Sequence, residues 1–265
     1  MFALIEIPLP ELGSDHWQAI LPFIFVGFFA QLVDGALGMA FGVITNTLLV
    51  GVLGMAPARA SASVHLVETF TTAASGISHI LHRNIDWRLF ARLAVPAVIG
   101  GAGGAYLLSH LHGEATRPFV MGYLVLIGFY LLWRGLRMSR DAVHRAPKVV
   151  APLGLVGGFL DAVGGGGWGP VVTSNLLAQG SEPRRTIGTV NSAEFLLTLT
   201  VSLTFIATLG VAAFSIAAVG LIIGGLMAAP FGAVLAKRIP ARPLLLGVAV
   251  ILIATSAFSL YRTLA

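Results

Sequence analysis

The sequence predicts an all-α membrane protein that crosses the bilayer several times. Of its 265 residues, 57% are hydrophobic and only 10% are charged, whereas soluble domains carry about 25% charged residues. Several apolar segments reach the roughly 20 residues that a helix needs to span a bilayer. The mean hydropathy of +0.91 agrees with this class. We expect a single membrane domain over residues 1–265.

Eight apolar segments follow one another along the chain. They are residues 18–55, 58–80, 88–109, 118–135, 149–180, 186–209, 214–236 and 241–262. The first and the fifth are too long for one crossing, and glycines interrupt them near Asp34 and Asp161. Each half of these two segments has about 15–20 residues, which is marginal for a span. We therefore predict two broken helical hairpins, re-entrant or fully spanning, each followed by three transmembrane helices.

The two halves of the chain also match in sequence. LVDGALGMAFG in the first half aligns with FLDAVGGGGWG in the second, and PARASASVHLVE aligns with PRRTIGTVNSAE. These alignments pair Asp34 with Asp161 and Glu68 with Glu194. The chain therefore contains an internal repeat, and the repeat places one pair of acids at the breaks and another pair in the helices that follow.

Basic residues predict how the repeats are oriented. Repeat one covers about 18–137, a cytoplasmic loop covers about 138–148, and repeat two covers about 149–263. Positive charge concentrates in cytoplasmic loops, and 13 of the 16 lysine and arginine residues fall in four loops: 80–92, 134–148, 181–185 and 237–242. This places both termini outside and makes the repeats inverted, an arrangement typical of secondary transporters.

The motifs of both halves resemble a known family. The first half has Gly27, Val33-Asp34, Leu37-Gly38 and Gly42, and the second has GGFLDAVGGGGWGP followed by SNLL. Over nearly the whole chain, this pattern resembles the sulfite exporter TauE/SafE family, also called the toluene sulfonate uptake permeases. The resemblance implies transport of sulfite, or of organosulfur anions such as sulfonates and sulfoacetate, across the bacterial inner membrane. It leaves the direction open, because the family includes exporters and importers.

Four of the eleven acidic residues lie within apolar segments, where each ionised carboxylate costs at least roughly 2.5–3.5 kcal/mol to insert. A proton relay or the coordination of a coupling cation would explain them. Alternatively, the two acids at the breaks cap the helix N-termini that the breaks expose. His65, three residues before Glu68, would form a proton pair with it. The predicted coupling residues are Asp34, His65, Glu68, Asp161 and Glu194.

One face of the segment 58–80 carries a polar stripe and should therefore face the interior of the bundle. It consists of Ser61, His65, Glu68, Thr72, Ser75 and His79. His65 and Glu68 could also form half of a metal site, but Asn191 replaces the histidine in the other repeat. We therefore expect no metal, and we expect no cofactor.

The glycines at 164–167 predict an unwound stretch whose N–H groups form a binding nest for an anion. The alternative is that small residues let two helices pack closely. Polar residues after each break would add neutral donors. The predicted substrate-binding residues are Asn46, Gly164, Gly165, Gly166, Gly167, Trp168, Thr173, Asn175 and Asn191. The two G-x-x-x-G motifs, at Gly100/Gly104 and Gly220/Gly224, predict helix-packing faces.

Taken with the resemblance, these features predict a secondary transporter that moves a small organosulfur anion by alternating access, coupled to protons. The alternatives are a passive anion channel and a sodium-coupled or metal-ion transporter of the same fold. The sequence contains no H-E-x-x-H, no G-x-S-x-G and no cysteine, which argues against an enzyme. Its basic residues lie in the loops between helices, so we expect a lipid bilayer around it and no nucleic-acid partner. The oligomeric state stays open.

Overall fold

The computed structural model describes residues 14–37, 39–137, 146–214, 216–238 and 241–264, and these form helices without any strand. The all-α prediction is therefore confirmed for this part of the chain. The acidic N-terminal residues 1–13 and most of the predicted cytoplasmic loop, residues 138–145, lie outside the described residues.

The two halves have similar orders of elements. The first half consists of α1 (Ser14–Leu37), α2 (Phe41–Asn46), a π-helix (Thr47–Val52), α3 (Pro57–Leu81), α4 (Trp87–His110) and α5 (Gly113–Arg137). The second half consists of α6 (Ala151–Gly164), a π-helix (Trp168–Thr173), α7 (Ser174–Ala178), α8 (Pro183–Leu209), a 3-10 turn (Val211–Ala213), α9 (Ile216–Arg238) and α10 (Ala241–Leu264). In each half, a broken segment precedes three long helices.

Local sequence signals set where the long helices begin. Pro57 and Pro183 are the first residues of α3 and α8, positions where the missing N–H of proline costs nothing. The Asp86 carboxylate accepts hydrogen bonds from two N–H groups in the first turn of α4, each at 3.0 Å. Glu182 caps α8 in the same way. Such caps satisfy N–H groups that have no partner inside the helix.

The two long apolar segments are broken, as predicted. α1 ends three residues after Asp34, and α6 ends at Gly164, where Gly165 adopts the left-handed conformation with φ of 63°. α6 has 14 residues and rises about 21 Å, which is less than the roughly 30 Å hydrocarbon core. α6 therefore cannot cross a bilayer alone.

Four helices in the described part of the chain are long and apolar enough to cross a membrane. They are Trp87–His110, Ala115–Arg137, Pro183–Leu209 and Leu245–Arg262. Shorter apolar helices cover Ile20–Asp34, Phe41–Val52, Ala151–Gly164 and Ala217–Ala229. A multi-pass membrane protein is the class that this set of helices fits.

Helices of one half pack mainly against helices of the other. α1 lies on α9 and α6 lies on α4, while α3 packs on α8 and α5 packs on α10. This pattern is unchanged when the halves are exchanged. A Cβ at Gly100 or Gly104 would overlap the α6 backbone, and one at Gly220 or Gly224 would overlap that of α1. The predicted packing role of both motifs is confirmed, and the inverted orientation of the halves stays a prediction.

Candidate functional site

Asp34 and Asp161 bridge the two breaks in the same way. The Asp34 Oδ1 accepts a hydrogen bond from the Phe41 N–H at 3.2 Å, and the Asp161 Oδ1 accepts one from the Trp168 N–H at 2.8 Å. In both cases the donor lies seven residues later and is the first residue of the helical segment after the break. The capping contact that the sequence offered as one alternative is therefore present in both halves.

Asp161 also makes a second contact, with His65 of α3. Its Oδ2 lies 3.1 Å from the His65 Nε2, and both side chains are buried. The His65 Nδ1 lies 2.8 Å from the Ser61 carbonyl oxygen. Because a carbonyl oxygen can only accept, Nδ1 carries a proton and Nε2 faces the carboxylate. The hydrogen bond of His65 thus goes to the other half of the chain, and not to Glu68.

Glu68 lies beside this pair with half of its carboxylate unpaired. It is 5% exposed, and its Oε1 lies beside Gly42 at the first break. Its Oε2 is buried and has no hydrogen-bond partner among the described residues. Because native structures rarely leave a buried polar atom unpaired, such an atom calls for a functional explanation. Glu68 is the clearest case in this site.

Four carboxylates lie in the region where the two broken segments approach each other. Glu68 is close enough to interact electrostatically with Asp34, Asp161 and Glu194, which come from α1, α6 and α8. Asp161 and His65 form the only acid–base pair within 4.0 Å among the described residues. Among the described residues, no lysine or arginine lies within 4.0 Å of these carboxylates, so ionising all four in an apolar interior would be costly.

The glycine run packs tightly against the first break. A Cβ at Gly165 would overlap the Asn46 side chain, and one at Gly166 would overlap the backbone at Gly42. The N–H groups of Gly165 and Gly166 both donate to the Asp161 carbonyl oxygen. Close packing, the alternative to the anion nest, is thus what these contacts show. In this conformation, the two N–H groups point at Asp161 and not at a ligand.

The polar residues predicted around the substrate surround the same region. The Asn46 Nδ2 donates to the Gly164 carbonyl oxygen at 2.5 Å, and its Oδ1 is unpartnered among the described residues. Thr173 is buried, and its hydroxyl likewise has no partner there. The Trp168 indole donates to the Val190 carbonyl oxygen at 3.2 Å. Asn46 and Trp168 therefore lie directly on the breaks.

Two of the predicted asparagines have other partners. The Asn175 Nδ2 donates to the Val171 carbonyl oxygen at 2.6 Å, within its own segment. The Asn191 Nδ2 donates to the Ser75 Oγ at 3.2 Å and so joins α8 to α3. Ser61, His65, Glu68 and Thr72 of the predicted polar stripe on α3 are buried, whereas Ser75 and His79 near the end of α3 are half-buried. Asn191 therefore extends this stripe across to the other half.

Sequence reasoning missed Tyr123 of α5. A Cβ at Gly164 or Gly167 would overlap its ring or hydroxyl group, and the hydroxyl donates to the Gly166 carbonyl oxygen at 3.3 Å. Its segment is uniformly apolar in sequence. No spacing pattern therefore distinguishes this tyrosine from one that faces lipid.

Three of these side chains could share a small positive ion. A ring nitrogen of His65 and one carboxylate oxygen each of Glu68 and Asp161 lie within 4.8 Å of one another, and all three residues are buried. One imidazole nitrogen and two carboxylates form a set that a proton or a metal cation can neutralise. The expectation that no metal binds stays a prediction.

Comparisons with known proteins agree with this architecture. The family model described as "Sulfite exporter TauE/SafE" matches residues 23–259. A protein of Bacillus subtilis (strain 168), described as "Probable membrane transporter protein YtnM", is 42% identical over 245 residues, which cover 88% of this chain and 79% of the relative. No solved structure matches the chain. Both the family match and this relative extend over most of the chain, which therefore belongs to the sulfite exporter TauE/SafE family of membrane transporters.

Proposed function

We propose that this protein is a secondary transporter that moves a small organosulfur anion, sulfite or an organosulfonate such as a sulfoacetate-like compound, across the bacterial inner membrane. The transport follows alternating access and is coupled to protons. One observation carries the proposal: the buried carboxylates of Glu68 and Asp161 converge with His65 where the two breaks meet, and one oxygen of Glu68 has no partner among the described residues. Membrane-embedded ionisable groups of this kind mark proton and ion pathways.

The packing of the helices supports alternating access. Exchange of the two halves leaves the main helix pairs unchanged, with α1 on α9 corresponding to α6 on α4. In transporters built from repeats, the substrate site lies between the repeats and one repeat rocks against the other. The carboxylate cluster lies at that boundary, because α3 and α8 contribute to it from opposite halves.

The polar groups near the breaks support a small anion as the substrate. The hydroxyls of Thr173 and Thr47 are buried and have no hydrogen-bond partner among the described residues. Thr173 was predicted from the sequence, whereas Thr47 was not. Neutral donors of this kind bind an oxyanion without the strong attraction of a fixed positive charge. The N–H groups of Gly165 and Gly166 would join them once their bonds to Asp161 are released.

Flux measurements on the purified protein in liposomes test the proposal. Sulfite, an organosulfonate and sulfate would be supplied in turn under an imposed pH gradient or sodium gradient. We expect uptake of sulfite or the sulfonate to follow the pH gradient. Flux that ignores both gradients would indicate a passive channel, and flux that follows sodium alone would indicate sodium coupling. If none of the three anions moves, the proposed substrate class is wrong.

Two acid-to-amide substitutions test the coupling. Glu68→Gln and Glu194→Gln remove a titratable group from the cluster with little change in shape, and we expect both to lose gradient-driven uptake. Glu182→Gln is the matched control, because Glu182 is exposed and only caps α8. If both cluster variants retain gradient-driven uptake, these two glutamates do not couple transport to protons.

A further inference from the structure

We infer that Asp161 and His65 hold the coupled proton between them, and that loss of this proton opens the contact between α3 and α6. The inference rests on the proposed function, and it assigns the coupling step to one pair within the cluster. The pair joins a helix of the first half to the break in the second half.

The hydrogen bonds of His65 fix the number of protons in this contact. The Nδ1 proton is directed at the Ser61 carbonyl oxygen, 2.8 Å away. With the ring proton on Nδ1, the 3.1 Å contact between Nε2 and the Asp161 Oδ2 is a hydrogen bond only if a further proton lies between these two atoms. The pair is therefore either an imidazolium with a carboxylate or a neutral imidazole with a carboxylic acid. Both forms hold one proton at this contact.

Loss of that proton turns an attraction into a repulsion. The lone pair of Nε2 would then face a carboxylate oxygen at hydrogen-bond distance, inside an interior that screens charge poorly. A tautomer change would restore a donor at Nε2 only by breaking the bond from Nδ1 to the Ser61 carbonyl oxygen. The Ser61 hydroxyl, 3.2 Å from Nδ1, could then donate to Nδ1 only by leaving the Ala162 carbonyl oxygen of α6. A neighbouring contact between the same helices, from the Ser61 hydroxyl to the Ala162 carbonyl oxygen, carries no titratable group. Separation of α3 from α6 relieves the repulsion.

Glu68 is placed to receive the proton. A carboxylate oxygen of Glu68 lies within 4.8 Å of a ring nitrogen of His65 and of a carboxylate oxygen of Asp161. The Glu68 Oε2 has no hydrogen-bond partner among the described residues. In the transfer, the proton leaves the space between Nε2 and Oδ2 and binds the Glu68 carboxylate, which becomes neutral. Asp161 is left ionised and His65 neutral, so the total charge does not change.

Other ionisable groups face the pair from three further helices. Asp34 of α1 and Glu194 of α8 interact electrostatically with Glu68, and Tyr123 of α5 interacts with Asp161. The two additional carboxylates place further negative charge beside the pair whenever they are ionised. Proton loss therefore requires a change in the surroundings of the pair, which links it to the conformational cycle.

The Oδ1 of Asp161 links the movement of this side chain to the second break. Oδ1 holds the Trp168 N–H at 2.8 Å, and Trp168 begins the helical segment that follows the glycine run. A shift of Asp161 away from His65 therefore moves the start of that segment. Asp34 makes the same cap in the first half, and no histidine lies within 4.0 Å of it among the described residues. The proton step thus belongs to the second break.

Asp161→Asn is the decisive variant. The amide oxygen can still accept from the Trp168 N–H, and the amide nitrogen can donate to the His65 Nε2, so the shape and both bonds are kept while the exchangeable proton is removed. Asp86→Asn is the matched control, since Asp86 also caps a helix but lies outside the cluster. Anion uptake and internal pH, reported by an enclosed pH-sensitive dye, would be followed together in liposomes.

We expect Asp161→Asn to reduce both gradient-driven uptake and proton movement to the level of protein-free liposomes. We expect Asp86→Asn to match the unaltered protein, and we expect Asp161→Asn to be stabilised by sulfite against heat as the unaltered protein is. If Asp161→Asn still moves protons with the anion, the inference fails and the proposed function stands. If the unaltered protein moves no anion, the proposed function fails. Uptake that follows a metal cation without proton movement would overturn the inference.

A labelling measurement tests the opening without relying on transport. The chain contains no cysteine, so Ser61→Cys places a single thiol at the contact between α3 and α6. We expect its labelling by a membrane-permeant thiol reagent to rise with pH more steeply with Asp161 present than in the Asp161→Asn background. An ionised Asp161 would disfavour a nearby thiolate, so thiol ionisation by itself would lower the labelling in the presence of Asp161. Identical pH profiles would show that the pair does not control this contact.

Discussion

The two breaks share one scaffold and differ in what surrounds it. In each, an aspartate accepts a hydrogen bond from the N–H seven residues later, at Phe41 or Trp168. Only the aspartate of the second break also bonds to a histidine. The shared cap accounts for why the helix can stop inside an apolar region. The added histidine distinguishes the two carboxylates, and it is the reason that we assign the proposed proton step to Asp161 and not to Asp34.

The two breaks also differ in their backbone conformation. The first break passes through Met39 and Ala40, and Ala40 adopts φ of 121° although it has a side chain. The second break uses Gly165 and Gly166 with φ of 63° and 150°, and Tyr123 covers the glycine run. The second break thus differs from the first in its backbone and in the tyrosine that packs against it. Substitutions at matched positions can show which property matters.

The largest loss of stability should come from Gly166→Ala. The new methyl would overlap the backbone at Gly42, which cannot rotate away, and the φ of 150° disfavours any side chain. Backbone strain costs about 1–3 kcal/mol and overpacking costs a similar amount. We therefore expect a large drop in the thermal unfolding midpoint in detergent.

Gly122→Ala is the control for this substitution. Gly122 lies within α5, and a Cβ there has no atom within 4 Å. We expect the midpoint to stay unchanged or to rise, because alanine is a better helix former than glycine by about 0.5–1 kcal/mol. If the Gly166→Ala and Gly122→Ala proteins have the same thermal unfolding midpoint, the two breaks are not closely packed.

The second largest effect should separate the two aspartates. Asp34→Ala removes one cap, for which we expect a loss of about 0.5–2 kcal/mol. Asp161→Ala removes the corresponding cap and also leaves the buried His65 Nε2 unpaired, which adds about 1–3 kcal/mol. The thermal midpoints of the two variants, measured side by side, should therefore differ, with Asp161→Ala lower. Equal midpoints would mean that the histidine contact contributes nothing to stability.

The sequence was sufficient to predict the helices and the breaks, because both depend on local composition. Apolar length defined the segments, and α3 and α8 begin one and three residues before the predicted starts at 58 and 186, at Pro57 and Pro183. The acids at the breaks were identified by their matched positions. The two π-helices were not anticipated, since no residue pattern distinguishes them from an α-helix.

Partners across the bundle could not be predicted in the same way. Spacing along α3 suggested that His65 pairs with Glu68, whereas the hydrogen bond of His65 goes to Asp161, which is 96 positions away. The sequence likewise did not indicate that the N–H groups of Gly165 and Gly166 donate to the Asp161 carbonyl oxygen. Such contacts depend on how helices of opposite halves pack, and hydrophobic periodicity carries no information about that packing.

A smaller effect is expected from Gly167→Ala, the position that corresponds to Ala40 in the aligned motifs. Alanine is already present at the first break, but a Cβ at Gly167 would overlap the Tyr123 hydroxyl. The obstacle is the end of a side chain, which can move at a cost of about 1–3 kcal/mol. We expect a moderate fall in the thermal midpoint, smaller than that of Gly166→Ala. No fall would show that Tyr123 does not hold the glycine run.

Tyr123→Phe should have the smallest effect alone and a larger one in combination. The single substitution removes the 3.3 Å bond from the hydroxyl to the Gly166 carbonyl oxygen, which contributes about 0.5–1.5 kcal/mol. In the Gly167→Ala background, the same substitution removes the atom that the new methyl would overlap, so it should restore part of the lost stability. A double-mutant cycle of thermal midpoints measures this change of sign. Additive losses would mean that the tyrosine and the glycine run act independently, and the second break would then resemble the first more closely than the contacts of Tyr123 indicate.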